Sequence, residues 1–400
     1  MNICFITNLP VWSLGVGKGA PSFYNTLNLY HKKGNKITLL TTEKDLSLPN
    51  LPNIEIRLIR KYSKVESSIF FGLFRLISKY LIWLMNQFMG YQALKAYAGD
   101  SDYIYAYETE FVLPASLYSR LKKLTFISRF QGTVLTDLVN NSSFFKKLKL
   151  MIQFFDQIIA LKINSHLTIM TNDGTKGDQV LQLLRKQETN VLFLRNGVDL
   201  SIPGDENTFL DITKGLDEGC IVFSSVSRLQ LWKRVDRSIE VFEAFNRVYP
   251  NSHYYIVGDG EQMISLKKLV KKKELTRNVT FLGSLEKPEV FNVLEVSKYF
   301  LSNYELSNLG NPLYEAVNFG CIVATLNNGS TGDLIIHNFT GILSEEDSYL
   351  ENARKLIELE ENSSTQNKIK YNASEMLEKN LLSWEQRMLK EYDEVRGLNN

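Results

Sequence analysis

A chain of 400 residues is long enough for about two or three domains. Hydrophobic residues make up 44% and charged residues 22%, which excludes a wholly disordered chain. The formal net charge of +2 gives no sign of a nucleic-acid partner. Cys4, Cys220 and Cys321 lie far apart inside apolar runs, so neither a zinc site nor a disulfide framework is expected, and a reducing compartment is. The opening MNICFITN has no basic region before an apolar stretch, so no signal peptide is expected.

Charge is unevenly spread. Residues 1–190 hold 23 Lys/Arg against 13 Asp/Glu, or +10; the remaining residues hold 23 against 31, or −8. A basic half joined to an acidic half suggests two domains with different partners, the first suited to an anionic membrane surface or a phosphate-bearing acceptor.

In chain order, strands are expected at Asn2–Thr7, Lys36–Thr42, Ile54–Ile59, Tyr103–Tyr107, Leu124–Phe130, Leu167–Thr171 and Val191–Leu194. A second series is expected at Cys220–Val226, Tyr254–Val257, Val279–Leu282, Tyr299–Ser302 and Cys321–Thr325. Helical periodicity fills most gaps, as in Lys233–Val248, Gln262–Lys273 and Pro312–Phe319. Strands alternating with helices predict parallel sheets covered on both faces. The strands are too many for one comfortable sheet, so the fold class is α/β with two doubly wound units meeting near residue 195. Ligands of such sheets sit beyond the carboxyl ends of the strands, which places the expected active site in a cleft between the units.

Residues 67–94 are the most apolar segment. The uncharged stretch Tyr80–Leu94 is 15 residues long, short of the roughly 20 that a spanning helix needs. It reads either as an interfacial helix or as a helical hairpin packed into the first domain. Ser143–Phe155, SFFKKLKLMIQFF, repeats its basic and aromatic style.

Several loops carry candidate chemistry. Gly15, Gly17 and Gly19 follow the first strand and would let the backbone approach a ligand closely, although the spacing fits neither a dinucleotide fingerprint nor a P-loop. Arg228 and Lys233 span a strand-to-helix turn and could place two cations on one diphosphate. Gly258 and Gly283 end two further strands. In Tyr304–Ala316, Pro312 suits a first helical turn, Asn311 is the expected N-cap, and Gly310 leaves room for a phosphate. Glu315 lies one turn in, where it could either reach a ribose diol or merely complement the helix dipole. Glu108 and Asp173 stand at strand ends and either orient an acceptor or cap turns. Asp100-Ser-Asp102 precedes a strand and His31, His166, His253 and His337 are scattered, so no metal is expected.

The ordered set SRLQLWKR, IVGDGE, VTFLG, NLGNPLYEAVNFGCIVAT and NGSTGDLI resembles the retaining glycosyltransferases of the family 4 kind. Arg195–Asp199 resembles their interdomain crossing, and Ser383-Trp-Glu385 with the following helix resembles their C-terminal helix. The resemblance implies a GT-B fold of two Rossmann-like domains facing across a cleft. Residues 1–194 would bind acceptor, 195–379 nucleotide sugar, and 380–400 would pack back on the first domain. It also implies that Arg228 and Lys233 hold the diphosphate, as donor-binding and catalytic residues, and that Glu315 is the second glutamate of an E-x7-E motif holding the ribose. The first glutamate would fall at Ser307, so the motif is broken here. Ser307, Asn308, Leu309, Gly310 and Asn311, with Gly17, Gly258 and Gly283, complete the implied donor site, and Gly15, Glu108 and Asp173 the acceptor side. Gln131 stands where many members carry a cleft histidine, as a third catalytic candidate that can hydrogen-bond sugar hydroxyls but cannot act as a base.

The expectation is therefore a metal-independent, retaining hexosyltransferase without cofactor. Its donor is a nucleotide diphosphate sugar, UDP favoured over GDP, and its acceptor a lipid-linked glycan in surface polysaccharide assembly. It would lie in the cytoplasm or peripherally on the inner face of the cell membrane. A non-catalytic nucleotide-binding subunit and a nucleotide-sugar epimerase are the alternatives, the first raised by Ser307 and the second by shared architecture.

Overall fold

The structure, a computed structural model, describes residues 1–9, 21–42, 54–62, 73–140, 142–185, 190–198 and 214–398. Gly15, Gly17 and Gly19 lie outside them. The chain divides into two compact units: Met1–Asn172, Lys176–Arg195 and Trp384–Asn400 in one, Asp173–Thr175 and Asn196–Ser383 in the other.

The first unit runs β1 (Asn2–Thr7), α1 (Pro21–Lys32), β2 (Lys36–Thr41), β3 (Ile54–Leu58), α2 (Leu73–Tyr97), β4 (Tyr103–Tyr107) and α3 (Val112–Lys122). It continues with β5 (Thr125–Phe130), α4 (Phe144–Gln153), α5 (Phe155–Lys162), β6 (Leu167–Thr171), α6 (Gly177–Leu184) and β7 (Val191–Leu194). All seven strands are parallel, in the order β3-β2-β1-β4-β5-β6-β7. Because side chains alternate along a strand, Ile3 and Phe5 enter one apolar layer and Cys4 and Ile6 the other.

The second unit runs β8 (Ile221–Val226), α7 (Val235–Asn246), β9 (Ser252–Val257), α8 (Met263–Lys272), β10 (Val279–Gly283), α9 (Lys287–Val296) and β11 (Tyr299–Ser302). It ends with α10 (Asn311–Asn318), β12 (Ile322–Leu326), β13 (Ile342–Ser344), α11 (Glu351–Glu360) and α12 (Ser363–Asn380). Its parallel order, β10-β9-β8-β11-β12-β13, repeats the winding of the first sheet. β13 was not foreseen, since three residues give too short a pattern to read.

The last helix, α13 (Trp384–Gly397), packs Trp384, Met388, Tyr392 and Val395 into the first unit's layer with Phe5, Phe23 and Tyr30. Leu381, just before it, packs in the second unit, and the Val198 amide donates to the Leu382 carbonyl at 3.1 Å. Beneath α13, the Glu391 carboxylate is enclosed by Arg129 at 2.7 Å and by Arg387, with Tyr105 Oη donating at 2.6 Å.

Three local expectations change. From Leu73 onward the apolar segment is one helix of 25 residues, with Trp83, Asn86 and Gln87 turned inward, and not a hairpin. Lys233 lies on a single 3-10 turn, Leu231–Lys233, because Arg234 takes a left-handed conformation (φ 44°) that separates this turn from α7. Gly310, and not Asn311, is the N-cap of α10, so Pro312 occupies the second helical position.

Candidate active site

The strand order of the second sheet reverses between β8 and β11, and the segments after these two strands flank the crevice where doubly wound sheets take ligands. Arg228 and Lys233 follow β8; Ser307–Asn311 follow β11. The two segments are tied together where the Glu305 amide donates to the Trp232 carbonyl at 3.0 Å.

Arg228 is exposed, and Lys233 is half-buried. The Lys233 ammonium lies 3.9 Å from the centre of the Trp232 ring and 3.8 Å from that of Tyr304. Burial, reinforced by the neighbouring Arg228 cation, pulls its pKa down to about 7, while Asp173 opposes the shift. Among the described residues no carboxylate forms a salt bridge with either cation. A diphosphate would therefore meet two cations that no described carboxylate holds in a salt bridge.

The turn before α10 is shaped from within. Asn308 is buried; its Oδ1 accepts from Ser302 Oγ at 2.8 Å and from the Tyr304 amide at 2.9 Å, and its Nδ2 donates to Asn328 Oδ1 at 2.9 Å. Leu309 is buried in an apolar layer. Ser307 Oγ donates to the Asp173 carbonyl at 2.6 Å. These three side chains hold the loop, and what the loop offers a ligand is its backbone leading into the N-terminus of α10. Glu315, one turn in, is buried and ion-paired with Lys287 at the start of α9. Lys287 was missed in the sequence because it precedes Pro288 at a helix start, where Glu286 and Glu289 form a capping box that accounts for the charges there.

Gly258, immediately after β9, has φ 128°, and its amide donates to the Gly283 carbonyl at 2.7 Å. A Cβ on Gly258 would come within 1.8 Å of the Ser227 carbonyl oxygen, so the glycine lets the segment that carries Arg228 pass closely. Asp173, which clusters with this second unit, has its carboxyl raised to about 6 by burial, against the bonds it accepts from Thr175 at 2.5 and 3.1 Å.

The remaining candidates belong to the first unit. Gln131 follows β5; its Nε2 donates to Tyr107 Oη at 2.7 Å and its amide donates to Glu108 Oε1 at 3.2 Å. Tyr107 Oη in turn pairs with Ser22 Oγ at 2.7 Å. Glu108 takes φ 68°, a conformation a glutamate adopts only under constraint from its surroundings. The sequence signals set aside have structural partners: Asp102 accepts from the Asn2 amide at 2.9 Å, and His166 Nδ1 accepts from the Phe126 amide at 2.9 Å.

Two parallel Rossmann-like sheets with helices define the GT-B fold. Residues 208–376 match the family model described as glycosyl transferases group 1. Among curated proteins, the chain is similar to alpha-monoglucosyldiacylglycerol synthase of Acholeplasma laidlawii, 25% identical over 160 residues that make up 38% of this chain and 39% of that one. It is also similar to alpha-1,3/1,6-mannosyltransferase ALG2 of Mus musculus, 23% identical over 58% of each chain. The match thus spans under two thirds of either relative. Among solved structures, Anabaena Alr3699/HepE in complex with UDP and glucose superposes with a TM-score of 0.71 at 14% identity, covering 99% of this chain and 100% of that one. Sucrose-phosphate synthase from Thermosynechococcus elongatus does so with a TM-score of 0.74 at 15% identity, covering 100% and 99%.

Proposed function

We propose that the chain transfers a hexosyl group from a nucleoside diphosphate sugar, with UDP as the nucleotide, to an acceptor hydroxyl. The observation that carries this reading is the pair of cations, Arg228 and Lys233, that no described carboxylate holds in a salt bridge, on the segment after β8, tied to the segment that leads into α10. The group 1 match over 208–376 and the UDP complex of HepE support it. In the step, the bond between the anomeric carbon and the β-phosphate oxygen breaks and its electron pair leaves with the diphosphate. The acceptor oxygen bonds to that carbon from the same face, and its proton passes to a leaving-phosphate oxygen, so configuration is retained. Arg228, Lys233 and the backbone before α10 neutralise the departing charge without a metal, Glu315 takes the ribose, and Gln131 hydrogen-bonds a sugar hydroxyl. Incubation with UDP-hexoses in chelator, followed by NMR of the anomeric proton of the product, tests donor, retention and metal independence together. A metal-dependent or inverted product contradicts the proposal.

The acceptor we infer is a lipid-linked glycan at an anionic membrane surface on the cytoplasmic side. No helix among the described residues is long and apolar enough to cross a membrane. α4 buries none of its side chains; Phe144 and Phe145 are 73% and 80% exposed beside Lys146, Lys147 and Lys149. On α2, Leu81 and Phe88 are also exposed. Aromatic and basic residues together on an exposed helix suit an interface of headgroups and acyl chains. The lipid-linked name of the Acholeplasma relative favours the same reading. Co-sedimentation with phosphatidylglycerol vesicles at low salt tests it, and equal binding to neutral vesicles would refute the electrostatic part.

Ser307 favours one competing reading, a nucleotide-binding subunit without activity, since its hydroxyl is committed to the Asp173 carbonyl where the family pattern has a glutamate. Nucleotide binding with neither transfer nor donor hydrolysis would select it.

A further inference from the structure

We infer that Trp232 and Tyr304 form an aromatic cage that positions the Lys233 ammonium for the donor diphosphate without a salt bridge to hold it; this rests on the nucleotide-sugar reading above. The ammonium lies within 4 Å of both ring centres, at 3.9 and 3.8 Å, and the two rings meet edge to face at 74°. The faces of aromatic rings carry the negative end of a quadrupole, so they attract a cation without carrying a formal charge. A carboxylate in the same place would also hold the lysine, but an incoming diphosphate would then have to break an ion pair and leave that carboxylate beside its own negative charge. The cage avoids this competition.

The cage is held independently of its guest. Tyr304 Oη donates to the Val226 carbonyl at 3.2 Å, and the Tyr304 amide is fixed by Asn308. Trp232 Nε1 donates to Gln230 Oε1 at 3.0 Å, and its carbonyl accepts from the Glu305 amide. One ring therefore comes from the segment after β8 and the other from the segment after β11, so Lys233 sits where the two segments meet. Burial and the Arg228 cation both act to discharge Lys233, and Asp173 opposes them; the two ring faces add a further attraction for the charged form. Trp232 and Tyr304 are thus positioning residues, acting through Lys233.

The test uses the full chain and UDP or GDP, whichever the wild type binds, by calorimetry alongside tryptophan emission. Trp232→Leu keeps apolar bulk and removes the ring face; it should weaken nucleotide binding about tenfold with an unchanged Tm. Trp232→Phe, and Tyr304→Phe on the other wall, should restore binding to within about threefold of wild type. Nucleotide binding should change wild-type emission, and Trp232→Phe should abolish the change. Trp232→Leu binding as tightly as wild type, Trp232→Phe as weak as Trp232→Leu, or an emission change that persists in Trp232→Phe would each overturn the cage alone. If the wild type binds neither nucleotide, or Arg228→Ala binds as well as the wild type does, the nucleotide-sugar reading fails and the cage falls with it.

Discussion

Lys287 at the start of α9 forms an ion pair with Glu315 one turn into α10, so the buried carboxylate nearest the helix start is neutralised by a neighbouring helix. The Glu315 side chain is 5% exposed and that of Lys287 28%. Removing the lysine leaves a buried charge without its counterion, but solvent at the lysine end screens part of the loss. Lys287→Ala should therefore lower stability by about 1–3 kcal/mol, below the cost of breaking a wholly buried pair. Lys287→Arg should restore it. Urea unfolding of the three proteins checks this.

Glu391 beneath α13 is a stronger case, because its side chain and those of Arg129 and Arg387 are at most 1% exposed. Burial by itself would raise the Glu391 carboxyl; Arg129 and Arg387 outweigh it and hold the carboxyl below the usual glutamate range. A depressed folded-state pKa contributes stability above the unfolded value, and that stability is lost as pH falls through the folded one. Glu391→Gln should cost about 3–5 kcal/mol near neutrality. Its Tm should also fall less steeply than that of the wild type on acidification, which thermal melts in acidic buffers would show.

Much of this architecture is legible in the amino-acid pattern. β1, β4, β6, β7 and β11 begin and end where alternation and β-branched runs place them, because buried parallel strands are written as short apolar blocks. Arg228 and Lys233 were also visible, as cations at a strand-to-helix turn. The left-handed Arg234 was not, since no local signal distinguishes it from an ordinary helical arginine, and with it went the true start of α7. The inward roles of Asn308 and Leu309 were equally hidden: they depend on Asn328 and on an apolar layer, contacts between residues distant in sequence.

Lys233 sets the expected pH dependence. Its ammonium, lowered to about 7, is charged below that value and neutral above it. If the charge holds the diphosphate, kcat/KM should decline as pH rises through about 7. Bound diphosphate favours the charged form, so the decline in kcat should lie at higher pH. Lys233→Arg, which stays charged, should flatten the alkaline limb. Initial rates across neutral and alkaline buffers decide it.

Gly258→Ala places a Cβ against the Ser227 carbonyl at a positive φ of 128°. The substitution should cost about 2–4 kcal/mol and displace the segment bearing Arg228, so nucleotide affinity should fall along with stability. Calorimetry at a temperature where the variant remains folded separates the two effects.

In the proposed site Arg228 and Lys233 together take a nucleoside diphosphate at the reversal point of the second sheet. Calorimetric titration of UDP into wild type, Arg228→Ala and Lys233→Ala measures this binding. Each substitution should weaken binding about tenfold to a hundredfold, the worth of one or two charged hydrogen bonds, with no change in the Tm of the ligand-free protein. Wild-type affinity in either Arg228→Ala or Lys233→Ala would refute it.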